Sequence, residues 1–210
     1  DTLKTKSGQG FEALSALKSG RADIIVGTRL ASGALRGAKV TLAAVLDAEL
    51  ELDGPDFRAS EKYGQMLFAL RGHLSGVPDG RLIIQAADKD AYDYSPLLQG
   101  DYAAAAQTEL ALRESFLYPP FVHLIKVLVK AKETAVLNAE TARIKRLAAP
   151  FVLETLGPVW CAKKTDVLKK QYLLFKAAED RWLELLAELD SFVPAKKAAV
   201  KVSADPYDFY

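Results

Sequence analysis

The chain has 210 residues and a formal net charge of +1, and half of its residues are hydrophobic. These values are typical of a folded protein with one or two domains and argue against wholesale disorder. One cysteine and two histidines exclude a disulfide framework and a zinc finger built from this chain alone, and no apolar run approaches the ~20 residues of a membrane helix.

The first half of the chain predicts a parallel α/β unit. Phe11, Leu14 and Leu17 are spaced for one face of a helix, and Gly20 stands where a C-terminal cap is expected. Apolar runs of the kind that form strands buried on both faces of a parallel sheet occur at 22–26, 40–46 and 81–85. Longer helical patterns cover 56–74 and the alanine-rich 101–117.

A change in charge and a proline pair predict a domain boundary after residue 118. Residues 1–118 carry 13 basic and 16 acidic side chains, a net charge of −3, whereas residues 119–210 carry 15 and 11, a net charge of +4. Pro119 and Pro120 fall at this change, and neither can continue a helix. We therefore expect one domain over 1–118 and a second over 119–210.

The second half predicts an α+β domain. Strand patterns occur at 121–129, 156–162, 171–175 and 198–203, and helical patterns at 133–151 and 179–192. The resulting order, β-α-β-β-α-β, is that of a split βαβ sandwich, which supports many different functions.

Short motifs spread over the whole chain occur in the order found in a known protein family. They are ADIIVGT at 22–28, VTL at 40–42, LDAE at 46–49, DFRASE at 56–61, LYPPF at 117–121, LGPV at 156–159 and Asp-Pro at 205–206. The ordered set resembles the C-terminal part of the PriA replication-restart helicases of superfamily 2. The resemblance implies a RecA-like second helicase lobe with a parallel sheet, followed by the ribosomal-protein-like C-terminal domain of that family.

The motor motifs depart from the family pattern at five positions. The family has Gln-Met and then Lys-Gly after its Gly-Thr, where this chain has Arg29 and Ser32. In the last motif, Gln-Val-Ala-Gly-Arg-Ala-Gly-Arg, Ala69 replaces the glutamine, and His73 and Gly76 replace the two arginines. An arginine that stabilises a phosphoryl-transfer transition state typically contributes ~10³–10⁵ in rate, through bidentate contacts that neither replacement makes.

We therefore expect no catalytic residue in this chain, doubtful ATP binding, and a lobe that keeps its fold while hydrolysis is lost. Two alternatives remain. In the first, Arg71 or Arg58 takes the place of the missing arginines after a local shift, and the protein is an active ATP-dependent 3′-5′ DNA helicase. In the second, the first half is a generic parallel α/β unit that is unrelated to a helicase lobe.

A lysine-rich connection between two predicted strands suggests a single-strand DNA contact. Lysine side chains neutralise phosphates, and aromatic rings stack on exposed bases. The candidate DNA-binding residues are Trp160, Lys163, Lys164, Lys169, Lys170, Tyr172 and Lys176. The alternative is a solvated hairpin tip with both aromatic rings in the core.

The resemblance also implies forked and single-stranded DNA, the single-stranded-DNA-binding protein and other primosome proteins as partners, and a cytoplasmic, nucleoid-associated protein. Arg181 aligns near a family arginine that helps to bind the acidic tail of the single-stranded-DNA-binding protein. The family's zinc module is expected upstream of this chain, and no metal site or other cofactor is expected within it. We interpret Asp47 and Glu49 as retained scaffold. A protein-interaction module that binds acidic tails and a ribosome-associated RNA binder are the remaining alternatives.

Overall fold

The computed structural model describes residues 15–35, 38–53, 56–161 and 167–207, and the chain divides into two compact units, 1–109 and 110–210. This division lies nine residues before the predicted boundary. The reason is that Phe116 and Tyr118, which precede the proline pair, contact Lys176 of the second unit. Among the described residues, no helix has the length and apolar character needed to cross a membrane.

The first unit contains a small parallel sheet with helices around it. A helical turn at 15–18 ends at Gly20, whose positive φ of 69° is the conformation expected of a glycine C-cap. The elements that follow are α1 (Arg29–Ala34), β1 (Leu42–Val45), α2 (Glu49–Leu52), α3 (Ala59–Leu74), β2 (Arg81–Ile84), α4 (Ser95–Gln99) and α5 (Tyr102–Ser115), and the last of these continues into the second unit.

The core of the first unit lies between β1, β2 and α3. The two strands pair in parallel, with Leu42 opposite Arg81 and Val45 opposite Ile84. Tyr63 and Leu67 of α3 are fully buried in this core, as expected for an apolar helix face at i, i+4 spacing.

The strand predicted at 22–26 is not formed. This segment is irregular, and Ile24 and Val26 are 81% and 86% exposed. A strand is stabilised by its ladder partners, and none of the described strands pairs with this segment. Of the helix predicted from the spacing of Phe11, Leu14 and Leu17, only residues from 15 onward lie among those the structure describes.

The second unit has the predicted β-α-β-β-α-β order. Its elements are β3 (His123–Ala131), α6 (Thr134–Ala148) with a 3₁₀ turn (Ala149–Phe151), β4 (Glu154–Trp160), β5 (Lys169–Ala177), α7 (Trp182–Ser191) and β6 (Ala198–Ala204). The strands form one sheet in the order β4-β5-β3-β6, and all neighbours are antiparallel. The mixed α/β class and the α+β second half are thereby confirmed.

Helices α6 and α7 cover one face of this sheet. Leu137 and Ile144 of α6 and Leu185 of α7 pack with Val127 and Phe175 in a fully buried cluster. Because side chains alternate along a strand, the neighbouring residues point to the opposite face. We call that surface the lysine face, since it carries Lys126, Lys130, Lys170, Lys176 and Lys201.

Candidate nucleic-acid interface and motor positions

Four of the five motor positions lie on α1 and α3. The Nε2 atom of His73, on α3, lies 3.0 Å from the carbonyl oxygen of Ser32, on α1. The hydroxyl of Ser32 donates to the carbonyl of Arg29 at 2.7 Å. Ala69 lies one turn before His73 on α3 and is exposed. The histidine therefore joins two helices at the position where the family has an arginine.

The other motor position and the two alternative arginines have different surroundings. Gly76 follows the end of α3 with a positive φ of 79°, so it lies outside the helix. Arg71 points toward the end of α4, where a β-carbon added to Gly100 would lie 2.6 Å from its Nη1 atom. Arg71 and His73 thus contact different parts of the unit, as expected for residues about 200° apart around a helix.

Arg58 lies just before α3, and its side chain contacts Asp56 and Phe57. Its Nε atom donates to Oδ1 of Asp56 at 3.0 Å, and its guanidinium lies 5.1 Å from the ring centre of Phe57. The ammonium of Lys62 binds the other carboxylate oxygen of Asp56 at 2.5 Å. Burial tends to raise the pKa of Asp56, but the bonds from Lys62 and Arg58 outweigh it and lower that pKa overall.

Glu49 at the carboxyl end of β1 binds backbone rather than a ligand. Its Oε1 accepts hydrogen bonds from the backbone N–H groups of Ala87, at 2.5 Å, and Asp88, at 2.9 Å. The bond from Asp88 is the main cause that lowers the pKa of Glu49. This carboxylate holds the segment after β2 against the end of β1. Within the described ranges, no group of three His, Cys, Asp or Glu side chains could hold a metal ion.

Lysines from three separate segments meet at one end of the antiparallel sheet. The end of β3 lies beside the beginnings of β5 and β6, since Ala131 is opposite both Lys169 and Ala198. We call this region the basic end. It contains Lys130, Lys132, Lys169, Lys170, Lys196 and Lys197.

Several lysines of the basic end lie on neighbouring strands close to one another. Lys130 and Lys170 are directly opposite one another on neighbouring strands, which places two like charges side by side. Lys169 donates to the hydroxyl of Thr134 at 2.5 Å, and Lys197 pairs with Glu133 at 2.9 Å. The fold therefore gathers positive charge at one end of the sheet, on both of its faces.

The two predicted aromatic residues lie on opposite faces of the sheet. Trp160 is opposite Gln171, which is buried on the helix side, whereas Tyr172 is opposite Val159. Trp160 is 53% exposed at the basic end, so its ring is accessible for stacking. Tyr172 is only 7% exposed, and Lys126 lies 4.9 Å from its ring centre. Lys163 and Lys164 lie outside the described residues.

Lys176 is an internal residue and not part of the exposed lysine group. It is 4% exposed, and its ammonium donates to the carbonyl of Phe116 at 2.8 Å and pairs with Glu154 at 2.7 Å. The ring of Tyr118 lies 4.2 Å away. Lys176 lies on the face away from the helices, at the end of the sheet opposite the basic end. The structure therefore separates Lys176 from the other candidate DNA-binding residues.

Arg181 precedes α7, and its side chain contacts the 3₁₀ turn that follows α6. One terminal nitrogen donates to the carbonyl of Pro150 at 3.2 Å, and the guanidinium lies 5.3 Å from the ring centre of Phe151. Its Nε atom is 3.1 Å from a carboxylate oxygen of Glu184, at an angle that does not form a hydrogen bond.

Comparison with known proteins identifies one family over most of the second unit. Residues 114–207 match the family model described as "Primosomal protein N C-terminal domain". The replication restart protein PriA of Chlamydia pneumoniae is 30% identical over 184 residues, which are 84% of this chain and 24% of that protein. The PriA of Bacillus subtilis is 36% identical over 136 residues, 64% of this chain and 17% of that protein.

Residues 114–207 contain the C-terminal domain of the PriA family, and most of the chain is similar to curated PriA proteins at 26–36% identity. The chain spans about a quarter of the length of the curated relatives it matches. A PriA of Rickettsia felis, 28% identical, aligns with 90% of the chain, so the similarity includes the first unit. Among solved structures, a Bacillus cereus protein related to NIF3 has a TM-score of 0.23 at 11% identity, too low to indicate a shared fold.

The PriA-family match spans every strand of the second unit, and with them the four lysines that sequence reasoning did not select. Lys130, Lys132, Lys196 and Lys197 are distant in sequence from the connection at 163–170. The signal that could have found them is the predicted split βαβ order, because that topology places the end of its first strand beside the starts of its third and fourth strands.

Proposed function

We propose that this chain acts in DNA replication restart and that its second unit binds single-stranded and forked DNA at the basic end. The observation that supports this most strongly is the convergence of lysines from the end of β3 and the starts of β5 and β6. The whole chain has a net charge of only +1. An even distribution of that charge would give little attraction for a phosphate backbone.

The chemistry of the basic end suits a single strand. Lysine ammonium groups neutralise phosphates without reading sequence, and the exposed Trp160 ring offers a surface on which a base can stack. This pairing of cations with an aromatic ring serves sequence-independent binding, which is what a protein acting at forks of any sequence requires.

A binding measurement on the 210-residue chain tests this proposal. Oligo-dT affinity is measured at several salt concentrations for the natural chain and for the Lys169→Ala/Lys170→Ala double variant. If both lysines contact phosphates, the slope of log affinity against log salt falls by about 1.4 for a single strand. The matched control is Lys145→Ala/Arg146→Ala, which removes the same charge from exposed residues toward the other end of α6.

Trp160→Ala tests the stacking component. Loss of one stacked base costs about 1–3 kcal/mol, or roughly 5- to 150-fold in affinity, with little change in the salt slope. Equal losses in the Lys169/Lys170 and Lys145/Arg146 variants would show that only total charge matters, and would contradict a site at the basic end.

We further propose that the first unit does not support ATP hydrolysis, so that the protein recognises forks and helps to assemble primosome proteins without unwinding DNA. His73 in contact with Ser32, and Gly76 without a side chain, support this proposal. Arg71 directs its guanidinium toward the end of α4. The acidic tail of the single-stranded-DNA-binding protein remains a proposed partner, with Arg181 as its candidate contact.

The test is ATP hydrolysis by the full-length protein with and without forked DNA. We expect no DNA-stimulated turnover above background, and no further loss in Arg71→Ala. Turnover that falls about 10³–10⁵-fold in Arg71→Ala would identify Arg71 as a replacement arginine and the protein as an active helicase. Arg81→Ala serves as the control, because it removes the same charge from an exposed residue at the start of β2.

A further inference from the structure

β6 is an edge strand of the antiparallel sheet formed by the described residues. β6 is the last strand in the sheet order and pairs with β3 alone among the described strands. The N–H of Asp205 donates to the carbonyl of Leu124 at 2.7 Å, which sets the alternation of the ladder. Ser203 and Lys201 follow the same alternation and direct their N–H and C=O groups toward β3. Val200 and Val202, which lie between and beside them, therefore direct theirs outward.

An apolar groove runs beside this edge. It has a volume of about 690 Å³ between β6 and α7, and its lining includes Leu186, Ala187, Val200 and Val202, with Asp190 also present. Its apolar lining is on the helix side of the sheet. A strand added beside β6 would therefore place every second side chain in this groove.

The same edge is basic on its other side. Lys201 is exposed at the middle of β6 on the lysine face, opposite Leu128 of β3. Lys126 and Lys130 of β3 lie diagonally across from it on the same face. The side chains that an added strand does not place in the groove would thus lie beside cations.

We propose that the outer edge of β6 binds an extended peptide in which apolar and acidic residues alternate. The peptide backbone pairs with Val200 and Val202, its apolar side chains enter the groove, and its carboxylates face Lys201. Strand addition of this kind takes its affinity from the main chain and its specificity from alternate side chains.

Charge complementarity favours this occupant over two others. Antiparallel pairing of β6 with a second copy centred on Lys201 would place two lysines directly opposite each other, which is destabilising. A nucleic acid would find no cation in the groove and would meet the carboxylate of Asp190. The DNA proposal rests instead on the basic end, where β3 finishes, so the two proposals can fail separately.

The probe is a blocked synthetic peptide of about eight residues that alternates Asp and Leu, with binding followed by fluorescence anisotropy on the 210-residue chain. Val202→Pro removes one outward N–H without removing a bond to β3, and we expect affinity to fall at least about tenfold. The matched control, Val202→Ala, retains the N–H and should stay within about threefold of the natural chain.

Two further variants test the side-chain contacts and do not depend on the proline variant folding. Ala187→Glu introduces a charge at an exposed position of the groove, and we expect at least about tenfold weaker binding. Lys201→Glu should weaken the Asp-Leu peptide to a similar extent and bind a Lys-Leu peptide better than the natural chain does. Val202→Pro and Ala187→Glu should leave oligo-dT affinity unchanged.

Three results would overturn the proposal. The first is the absence of saturable binding up to about 1 mM peptide. The second is that a peptide of the same composition in scrambled order binds as tightly as the alternating one. The third is that the Val202→Pro and Ala187→Glu variants bind the alternating peptide as tightly as the natural chain does. A concentration-dependent dimer that Val202→Pro abolishes would instead identify a second copy of the chain as the occupant.

Discussion

At the scale of single residues, His123 is held by contacts to both ring nitrogens and to its ring face. Its Nδ1 lies 2.7 Å from a carboxylate oxygen of Asp205 and its Nε2 lies 2.8 Å from one of Glu179. Its ring stacks on Trp182 with centres 4.1 Å apart. Burial opposes the charged form, but the bonds to the two carboxylates outweigh it and raise the pKa of His123 above its ordinary value of 6.5.

This raised pKa predicts a pH-dependent stability. The folded state favours imidazolium more than the unfolded state does, so the stabilisation is fully present below the ordinary pKa of 6.5 and is lost as pH rises through the folded pKa. Urea unfolding can be followed by tryptophan fluorescence, because Trp160 and Trp182 are the two tryptophans of the chain and both lie in the second unit.

The matched variants are His123→Gln and His73→Gln. We expect the natural chain to lose stability as pH rises above about 6.5, His123→Gln to lose most of that dependence, and His73→Gln to retain it. At low pH, His123→Gln should be less stable by ~1–2 kcal/mol, the contribution of hydrogen bonds to partly exposed carboxylates. An unchanged pH profile in His123→Gln would contradict this explanation.

At the scale of elements, α6 stabilises the antiparallel sheet through one apolar stripe. Leu137, Ile144 and Ala148 recur at helical spacing and are fully buried against β3 and β5. The stripe also carries a polar contact, since Nε2 of Gln171 donates to the hydroxyl of Thr141 at 2.6 Å. This satisfies a buried amide that would otherwise destabilise the core.

Leu137→Ala tests this packing. A fully buried leucine reduced to alanine loses about 2–5 kcal/mol of unfolding free energy, depending on how far the site collapses. The control is Val193→Ala, at an exposed position after α7, which should change stability by less than about 0.5 kcal/mol. Similar urea midpoints for the two variants would show that packing of α6 against the sheet does not stabilise the core.

At the scale of the whole molecule, the two units have separate cores. The cluster around Tyr63 and Leu67 belongs to the first unit, and the cluster around Leu137 and Phe175 belongs to the second. The second unit includes residues 110–122, which supply the carbonyl of Phe116 and the ring of Tyr118 to the buried Lys176. A fragment that keeps these contacts has the complete second core.

We therefore expect residues 110–210 to unfold in one cooperative transition, with a tryptophan-monitored urea midpoint close to that of the 210-residue chain. A fragment of 123–210 lacks two partners of the Lys176 ammonium and should be less stable by about 2 kcal/mol or more, because a buried cation then depends on Glu154 alone. Equal midpoints for the two fragments would contradict the assignment of residues 110–122 to this unit.

Much of the fold could be predicted from periodicity, because the strands and helices of the second half bury one side of each element and the sequence must repeat accordingly. The same reasoning is wrong at 22–26. An apolar run there resembles a buried strand, but strand formation depends on a partner that the local sequence does not supply.

The sequence by itself determined the family resemblance, the element order of the second half and the altered motor positions, since each is a property of residue type and spacing. Only the tertiary structure decided which side chains meet. It placed Trp160 and Tyr172 on opposite faces, buried Lys176, and gathered lysines from three segments at one end of the sheet. Strand register fixes these relations, because a shift of one residue moves every side chain to the other face.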